Sequence, residues 1–213
     1  QENEGLKAKI KRNPIMSAIV GAIVLAAIIF IGVHLYNKHI EAKNDEAATK
    51  IAKGQEYFAQ GNFDQALNGD NAGYPGFVKI ASQYSSTKTG NIANLYAGLC
   101  YAHLDPWENA VKYLEKFDGV DDILISPAAL GALGNAYAHD PAKLDKAVET
   151  LKKAAKQADN LTLSPTFLIQ AGQILESQNK KDEALKLYKK VKEKYFQSMQ
   201  YQTIDEYIER ASK

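Results

Sequence analysis

At 213 residues, the chain is long enough for one domain of ordinary size and a membrane anchor, and too short for two large domains. Its 26 basic and 25 acidic residues nearly cancel, which excludes the strongly basic surface that a nucleic-acid-binding protein needs. Cys100 is the only cysteine, so the sequence excludes an internal disulfide, a thiolate zinc site and a two-cysteine redox motif.

A stretch at residues 15–33 has the length and composition of a membrane span. It contains 19 residues without a charge, and Ser17 is its only clearly polar side chain. A helix of that length covers about 28 Å of the roughly 30 Å hydrocarbon layer. Its many Ile, Val, Leu and Phe residues together favour insertion by about 3 to 7 kcal/mol. We therefore expect a single transmembrane helix at 14–36.

The flanks of this stretch predict its orientation. The apolar run ends without the A-x-A pattern of a cleavage site, so an uncleaved signal anchor fits better than a cleaved secretory signal. Only Lys38 and Lys43 follow the span closely, whereas the tail at 1–13 carries four basic residues: Lys7, Lys9, Lys11 and Arg12. By the positive-inside rule, this bias predicts a short cytoplasmic tail and an exported C-terminal domain.

Small residues recur every four positions within the predicted span. They form two adjacent helical stripes, Ser17 with Gly21 and Ala18 with Ala22 and Ala26. Such stripes allow a second transmembrane helix to approach closely, so these residues are candidates for transmembrane packing. The plainer alternative is that alanine and glycine are simply common in membrane helices.

The segment after the span continues the helical pattern. Between Gly32 and Gly54 there is neither proline nor glycine, and residues 36–53 are rich in Lys, Glu and Ala. These residues favour helix. We expect the membrane helix to run without a break through a helical linker at 37–53 into the soluble domain.

A pattern of small and large residues occurs four times in the remainder of the chain. A glycine is followed three positions later by a tyrosine or leucine, and twelve or thirteen positions after the glycine by an alanine. The copies are Gly54, Tyr57, Ala66; Gly98, Tyr101, Ala110; Gly134, Tyr137, Ala147; and Gly172, Leu175, Ala184. Repeats of this period predict stacked helix pairs, in which glycine lets the two helices of a pair cross closely.

With its Gly-x-x-Tyr copies, the chain resembles the tetratricopeptide repeat (TPR) family. The resemblance implies an all-α fold, an alpha-solenoid of about four helix pairs over 48–195. A Gly- and Pro-rich insertion at 68–76 departs from the pattern, either as a binding feature or as a lengthened turn. A last amphipathic stretch at 203–212 predicts a helix that caps the open end of the stack, within a C-terminal segment at 196–213.

In TPR proteins, the first helices of successive repeats line a concave groove that receives partner proteins. By that resemblance, the candidate partner-binding residues are Gln55, Phe58, Leu99, His103, Asn135, His139, Gln173 and Glu176. One branch of the family binds C-terminal carboxylates with a Lys and Asn clamp. Only Asn135 matches an asparagine of that clamp, and the lysine positions hold Leu95, Gly131 and Ile169, so recognition of chaperone tails is disfavoured.

No residues have the spacing that catalysis, metal binding or cofactor binding requires. The four histidines are scattered, and no two of them have the three- or four-residue spacing of helical metal ligands. Cys100 is expected to be a small buried thiol rather than a nucleophile. The lysine-rich stretch at 180–194 is expected to be the solvated side of an amphipathic helix, with an anionic partner as the alternative. We therefore do not expect an enzyme or a cofactor.

The order of parts, a short tail, one signal anchor and a repeat stack, is similar to bacterial inner-membrane proteins of the YfgM type. These anchored periplasmic TPR proteins accompany the SecYEG translocon and a chaperone-like prolyl isomerase. The resemblance implies a scaffold for protein transport, with translocon or envelope-chaperone components as its partners. The alternatives are an accessory subunit of another envelope secretion or assembly complex, and a cytosol-facing docking or import receptor.

Overall fold

The computed structural model describes residues 14–213, so the expected cytoplasmic tail at 1–13 and its four basic residues lie outside the described part. Within residues 14–213, all regular secondary structure is helical, and there is no strand. The described residues divide into two units, 14–46 and 47–213. The all-helical fold class expected from the sequence is confirmed.

The first helix, α1, extends over Pro14–Ala59 and is unbroken for 46 residues, as expected from the absence of proline and glycine in the linker. Of the described helices, α1 alone is long and apolar enough to cross a membrane by length and composition. Its N-terminal part exposes large apolar side chains, among them Phe30 at 74%. This exposure suits a lipid environment, although a signal sequence near an N-terminus has the same character.

Residues 47–213 form four helix pairs, an inserted helix and a terminal helix. In each pair, a first helix is followed by a second helix that returns alongside it. After α1, the helices are α2 (Phe63–Asn68), α3 (Phe77–Gln83), α4 (Lys88–Leu104), α5 (Trp107–Leu114), α6 (Ile125–Ala138), α7 (Leu144–Ala158), α8 (Leu163–Ser177), α9 (Lys181–Lys194) and α10 (Ile204–Ser212). The first helices are the end of α1 with α4, α6 and α8, and the second helices are α2, α5, α7 and α9. The expected number of pairs is thus confirmed.

In three of the pairs, glycine lets the helices cross closely, as the sequence predicts. A Cβ atom added at Gly98 would lie 2.6 Å from Leu114 Cγ of α5, and one added at Gly134 would lie 2.7 Å from Leu151 Cγ of α7. A Cβ at Gly172 would overlap the ring of Tyr188 in α9. Any larger residue would therefore force these helix pairs apart.

The first pair differs. The sequence predicts that Gly54 crosses the second helix of its own pair, and this prediction is wrong because Gly54 instead packs against the insertion and α3. A Cβ at Gly54 would overlap the ring of Tyr74 and lie 2.7 Å from Phe77 Cε1. Both aromatic residues belong to the insertion and to α3. Because α2 has only 6 residues, the insertion supplies the surface that packs against α1 in this pair.

The insertion at 68–76 is a turn ordered by hydrogen bonds. Asp70 Oδ1 accepts bonds from the backbone N–H groups of Ala72 at 2.9 Å and Tyr74 at 2.8 Å, and the Tyr57 hydroxyl donates to Asp70 Oδ2 at 2.7 Å. Gly76 has a φ of 89°, and a Cβ there would lie 2.5 Å from the Leu67 carbonyl oxygen. Glycine is therefore required at the point where the chain turns into α3.

Two of the first helices begin with the same local arrangement. Asp122 before α6 and Asn160 before α8 accept bonds from backbone N–H groups of the first turn. Each helix then contains a buried Ser-Pro pair, with Pro in its first turn, where a missing N–H costs nothing. The buried Ser164 hydroxyl also donates to the Ala155 carbonyl of α7 at 2.8 Å, which ties the start of α8 to the preceding pair.

The terminal helix α10 covers the end of the stack, as expected. It buries Ile204 and Ala211 completely or nearly so, at 0% and 5% exposure. Arg210 forms two bonds to the carboxylate of Glu176 in α8, from Nε to Oε1 at 3.0 Å and from Nη2 to Oε2 at 2.6 Å. The cap is thus held by an apolar face and a bidentate ion pair.

Candidate functional site

Three of the expected groove residues, Gln55, Phe58 and Leu99, lie together in one cavity between three first helices. We call it the apolar cavity, and its volume is about 520 Å³. Helices α1, α4 and α6 line it with Gln55, Phe58, Ile92, Leu95, Tyr96, Leu99, Ile125, Ala128 and Ala129. First helices thus form a concave surface here, and binding of a partner to it stays a prediction.

The walls of the apolar cavity offer few free polar groups. Its two polar side chains bond each other, because Gln55 Nε2 donates to the Tyr96 hydroxyl at 3.3 Å. Phe58 packs edge-on against the Tyr96 ring, with the ring centres 5.3 Å apart. Leu95, at a position where the carboxylate clamp has lysine, is buried at 8% exposure and lines the same cavity. The cavity therefore suits an apolar group.

Three more expected residues, Asn135, His139 and Gln173, lie together in a second cavity, which we call the amide cavity. It has a volume of about 360 Å³ and lies between α6, α7 and α8. It is lined by Asn135, Ala138, His139, Leu144, Gln170, Gln173, Ile174 and Ser177. Three side-chain amides therefore face one cleft, which can bind groups that donate or accept hydrogen bonds.

Gln170 is a residue of the amide cavity that sequence reasoning missed. Its Oε1 atom is buried and has no hydrogen-bond partner among the residues that the structure describes. A buried polar atom without a partner costs about 1 to 3 kcal/mol, so Gln170 is a destabilising residue in the wall of this cavity. Its position one turn before Gln173 on α8 is the only sequence signal that pointed to it.

Neither cavity is lined by Asp, Glu, Lys or Arg. This is notable because those four residue types make up 24% of the chain. A charged group that enters either cavity would lose hydration without gaining an opposite charge. The walls of the two cavities are therefore free of carboxylate, ammonium and guanidinium groups.

One face of α6 connects the two cavities. Ile125 and Ala128 line the apolar cavity, whereas Asn135 and His139 line the amide cavity. Their spacings of three, seven and four residues place all four on one side of the helix. At 1.5 Å per residue, Ala128 and Asn135 are about 10 Å apart along the axis. The two cavities thus lie along the same face of α6, and we call them together the groove.

His103 and His139 have matching environments in adjacent repeats. His103 stacks on Phe63 at the start of α2, with the rings 4.1 Å apart and 2° from parallel. His139 stacks on Trp107 at the start of α5, with the rings 3.5 Å apart and 8° from parallel. In both cases the end of a first helix is held against the second helix of the preceding pair. His103 lines neither cavity of the groove.

Glu176 contacts the capping helix and lines neither cavity. Besides Arg210, it accepts a bond from the Tyr188 hydroxyl at 2.6 Å. The bonds from Arg210 and then from Tyr188 hold the pKa of Glu176 below its ordinary value, although partial burial opposes the shift. The structure thus places this residue at the end of the stack, in a stabilising position.

The candidates for transmembrane packing lie on the exposed part of α1. Ser17, Ala18, Gly21, Ala22 and Ala26 are all exposed. A Cβ added at Gly21 would meet no described atom within 4 Å. Packing of a second membrane helix against this stripe stays a prediction.

The described residues contain neither a metal-binding cluster nor a reactive thiol. Within 14–213 there is no group of three or more His, Cys, Asp or Glu side chains placed to hold a metal ion. Cys100 is fully buried at 0% exposure, and burial raises the pKa of its thiol to about 12. A thiol with that pKa is protonated at neutral pH and is a poor nucleophile.

Comparison with known proteins gives two kinds of likeness. The family model "Tetratricopeptide repeat" matches residues 93–117 and 168–198, which fall in the second and fourth helix pairs. A crystal structure of MamA protein superposes with a TM-score of 0.57 at 17% identity and covers 78% of this chain and 89% of that chain. A second crystal structure of MamA gives 0.53 at 18% identity, with 75% and 92% covered.

At this level of identity, the likeness to MamA concerns the fold alone. No curated protein matches the chain. The similarity to the YfgM type therefore stays a prediction. The matched segments coincide with the copies that contain Gly98 and Gly172, two of the glycines at close helix crossings. These two segments match the tetratricopeptide repeat model, and they lie within an all-helical repeat fold similar to that of MamA.

Proposed function

We propose that this chain is a membrane-anchored scaffold whose repeat domain binds other proteins through the groove of the first helices. The observation that carries the proposal is the groove itself, an uncharged cleft lined by three successive first helices and then by amides of the third and fourth. Apolar clefts with a few convergent polar groups are typical binding sites. A stack of repeats offers such a surface without any catalytic group.

In this proposal, the anchor is residues 14–36, followed by a helical linker at 37–53, repeats over 48–195 and the capping segment at 196–213. The exposed apolar part of α1 supports the anchor. The charge bias around the span supports a cytoplasmic N-terminus and a periplasmic repeat domain at the inner membrane. Protease treatment of sealed inverted vesicles tests the orientation, because a lumenal repeat domain is protected until detergent is added.

The proposed partners are components of the Sec translocon and of the envelope-chaperone network, by resemblance to anchored periplasmic TPR proteins of the YfgM type. An accessory role in another envelope secretion or assembly complex is the alternative. The choice between them depends on which proteins contact the groove. Neither of these two functions requires a cofactor or a nucleic acid.

Site-specific photocrosslinking in intact membranes tests this function. A photoreactive residue at Ala128, on the groove face of α6, is compared with one at Ala142, an exposed residue of the 3-10 turn at Pro141–Lys143. We expect crosslinks to translocon or chaperone proteins from position 128 and none from position 142. Equal crosslinking from both positions, or from neither, contradicts binding through the groove. Crosslinks from position 128 to a different envelope complex support the alternative.

A further inference from the structure

We infer that one edge of the repeat domain rests on the lipid bilayer, with Leu161, Phe196 and Met199 inserted at the boundary between headgroups and acyl chains. We call it the connection edge, because it is formed by the connections from one helix pair to the next at 115–124, 159–162 and 195–203. This inference rests on the proposed membrane anchor and assigns a surface that is separate from the groove. A partner protein and a second copy of this chain are the competing occupants.

Contacts between neighbouring connections place them along a single edge. Residues 118–121 line a cavity of about 570 Å³ together with the last two turns of α7. At the end of α9, Lys194 Nζ donates to Asp159 Oδ1 at 2.5 Å. In the last connection, Gln200 Nε2 donates to Thr166 Oγ1 at the start of α8, at 2.8 Å. Because the two helices of a pair run in opposite directions, the turns within pairs lie at the opposite edge.

Large apolar side chains of the repeat domain are exposed almost entirely at the connection edge. Within 47–213, all of which the structure describes, Leu104 is the exception, because it lies at the turn within the second pair. The others lie in a connection or directly after one: Ile123, Leu124, Ile125, Leu161, Phe196, Met199 and Tyr201. Met199 is 84% exposed and Phe196 is 58% exposed. Apolar side chains gathered in this way mark a surface that contacts another molecule or a membrane.

The bilayer is the favoured occupant because the chain enters the repeat domain at this same edge. At the point of entry, Lys50 Nζ donates to the Tyr84 hydroxyl at 2.7 Å, just before the start of the first helix α4. Only the ten residues 37–46 separate Ala47 from the proposed span, and ten helical residues are about 15 Å long. A contact on so short a tether has a high effective concentration, so it needs little affinity of its own.

The last connection has the composition of a segment at a membrane interface. Residues 195–203 contain no Asp, Glu, Lys, Arg or His. The partly exposed ring of Tyr201 is amphipathic, and such rings favour the headgroup layer. In the connection before α8, Asp159 is the only charged residue, and it is paired with Lys194. Neither connection therefore brings an unpaired charge toward the acyl chains.

Charge also decides which connections make the contact. The connection before α6 holds more carboxylates than lysines, with Glu115, Asp118, Asp121 and Asp122 against Lys116. Anionic headgroups would repel it, so we assign the contact to the other two. The last turns of α7 and α9 lead into those two and carry Lys156, Lys192 and Lys194. Two of these lysines are paired with aspartates, so apolar burial must supply most of the attraction.

Quenching of a fluorescent label by lipid tests the inference on the full-length protein in vesicles. Leu161 and Leu104 are a matched pair, because they are 43% and 41% exposed and lie at opposite edges. Each is replaced by cysteine and labelled with the dye NBD, and the unsubstituted protein, in which Cys100 is fully buried, gives the background. The vesicles contain phosphatidylethanolamine, phosphatidylglycerol and a lipid with a doxyl quencher on its acyl chain.

We expect doxyl lipid to reduce the fluorescence of the label at position 161 at least about twofold and to leave the label at position 104 nearly unchanged. The physical reason is that only the connection edge reaches the acyl chains. Equal quenching at the two positions, or quenching at neither, overturns the inference. A partner protein as the natural occupant predicts no quenching at position 161, because these vesicles contain no other protein.

Substitution of the inserted side chains tests whether apolar burial holds the contact. Phe196→Ser combined with Met199→Ser should lower the quenching at position 161 at least about twofold, whereas Leu104→Ser should not. High salt should leave the quenching in the wild type unchanged, because salt does not screen apolar burial. Undiminished quenching in the double variant, or loss of quenching in high salt, overturns the inference. If circular dichroism shows that the double variant does not fold, the matched pair of labels still decides.

Further readouts separate this inference from the proposed function. An emission shift at position 161 that follows the protein-to-lipid ratio, without quenching by doxyl lipid, assigns the edge to a second copy and overturns the inference. Extraction of the protein by alkaline carbonate rejects the anchor and the inference with it. Protein that resists extraction but is not quenched at position 161 rejects the lipid contact alone. Quenching at position 161 without crosslinks from position 128 rejects binding through the groove and supports the inference.

Discussion

At the scale of single residues, glycine is retained where two helices approach too closely for a side chain. Gly98 and Gly134 occupy equivalent positions, and in both a Cβ would lie less than 3 Å from a leucine of the second helix, at 2.6 and 2.7 Å. The contact atoms are branched carbons of buried leucines, which have little room to move. These positions therefore control how tightly each repeat is packed.

We predict that Gly98→Ala destabilises the protein by about 1 to 3 kcal/mol, because the added methyl group overpacks the crossing against Leu114. The measurement is urea denaturation followed by circular dichroism. In the double variant Gly98→Ala, Leu114→Ala, the second change removes the clash, so the total loss should be smaller than the sum of the two single losses. Additive losses would show that the crossing is not the cause.

Asp70 stabilises the insertion at 68–76 by accepting three hydrogen bonds, one from the Tyr57 hydroxyl and two from the backbone N–H groups of residues 72 and 74. We predict that Asp70→Ala lowers the midpoint of thermal unfolding by a few degrees, since the turn loses three hydrogen bonds while the Tyr74 hydroxyl keeps its bond to the Ala66 carbonyl. Asp64→Ala on α2, which removes only one exposed hydrogen bond from Asn68, is the control and should have a smaller effect. Unchanged thermal unfolding of Asp70→Ala would mean that the turn does not depend on these bonds.

At the scale of elements, the capping helix depends on an ion pair that is partly shielded from solvent. The Glu176 side chain is 14% exposed, whereas Arg210 is 54% exposed and therefore screened by water. We predict that Arg210→Gln costs about 1 kcal/mol, which is less than a fully buried pair would be worth. The exposed pair between Lys213 and Glu209 provides the control, and Lys213→Gln should have almost no effect.

The same pair predicts a dependence of stability on pH. Because the pKa of Glu176 is lower in the folded protein than its ordinary value of 4.5, the pair contributes stability above about pH 4.5. That contribution is lost as the pH falls through the lowered pKa and Glu176 becomes protonated. The difference in unfolding free energy between wild type and Arg210→Gln should therefore shrink on acidification below pH 4.5. A constant difference from pH 7 to pH 3 would contradict the assignment.

At the scale of the whole repeat domain, each helix pair packs mainly on its neighbours. The apolar core accordingly falls into three clusters along residues 47–213, and α10 belongs to the last of them. In such an array, the loss of a terminal element affects the adjacent repeat most strongly. The protein should therefore respond locally to truncation of its cap.

We predict that removal of residues 203–213 speeds hydrogen exchange in α8 and α9 and leaves exchange in α4 and α5 nearly unchanged. The physical reason is that Tyr188 and Glu176 lose Tyr207 and Arg210, whereas α4 and α5 contact neither. Mass spectrometry of peptic fragments measures both regions in one experiment. A uniform increase along the chain would indicate one cooperative unit instead.

Sequence by itself determined the number of helix pairs, the apolar segment of α1, the unbroken helix through the linker and the capping helix. These features are local, because they depend on periodicity within about 40 residues and on the absence of proline and glycine from the linker. The repeat register predicted eight residues of a single groove, and only the structure divides six of them between two cavities and leaves His103 and Glu176 outside both.

Only the tertiary structure decided which side chains converge between repeats. The partner of Gly54 is the insertion because α2 is too short to reach it, and Glu176 holds the cap because α10 folds back over α8. Gln170 became a candidate only when its unbonded oxygen was found in the cleft between α6 and α8. These contacts depend on how the helices stack, and that geometry joins residues 20 positions apart for Gly54 and Tyr74 and 34 apart for Glu176 and Arg210.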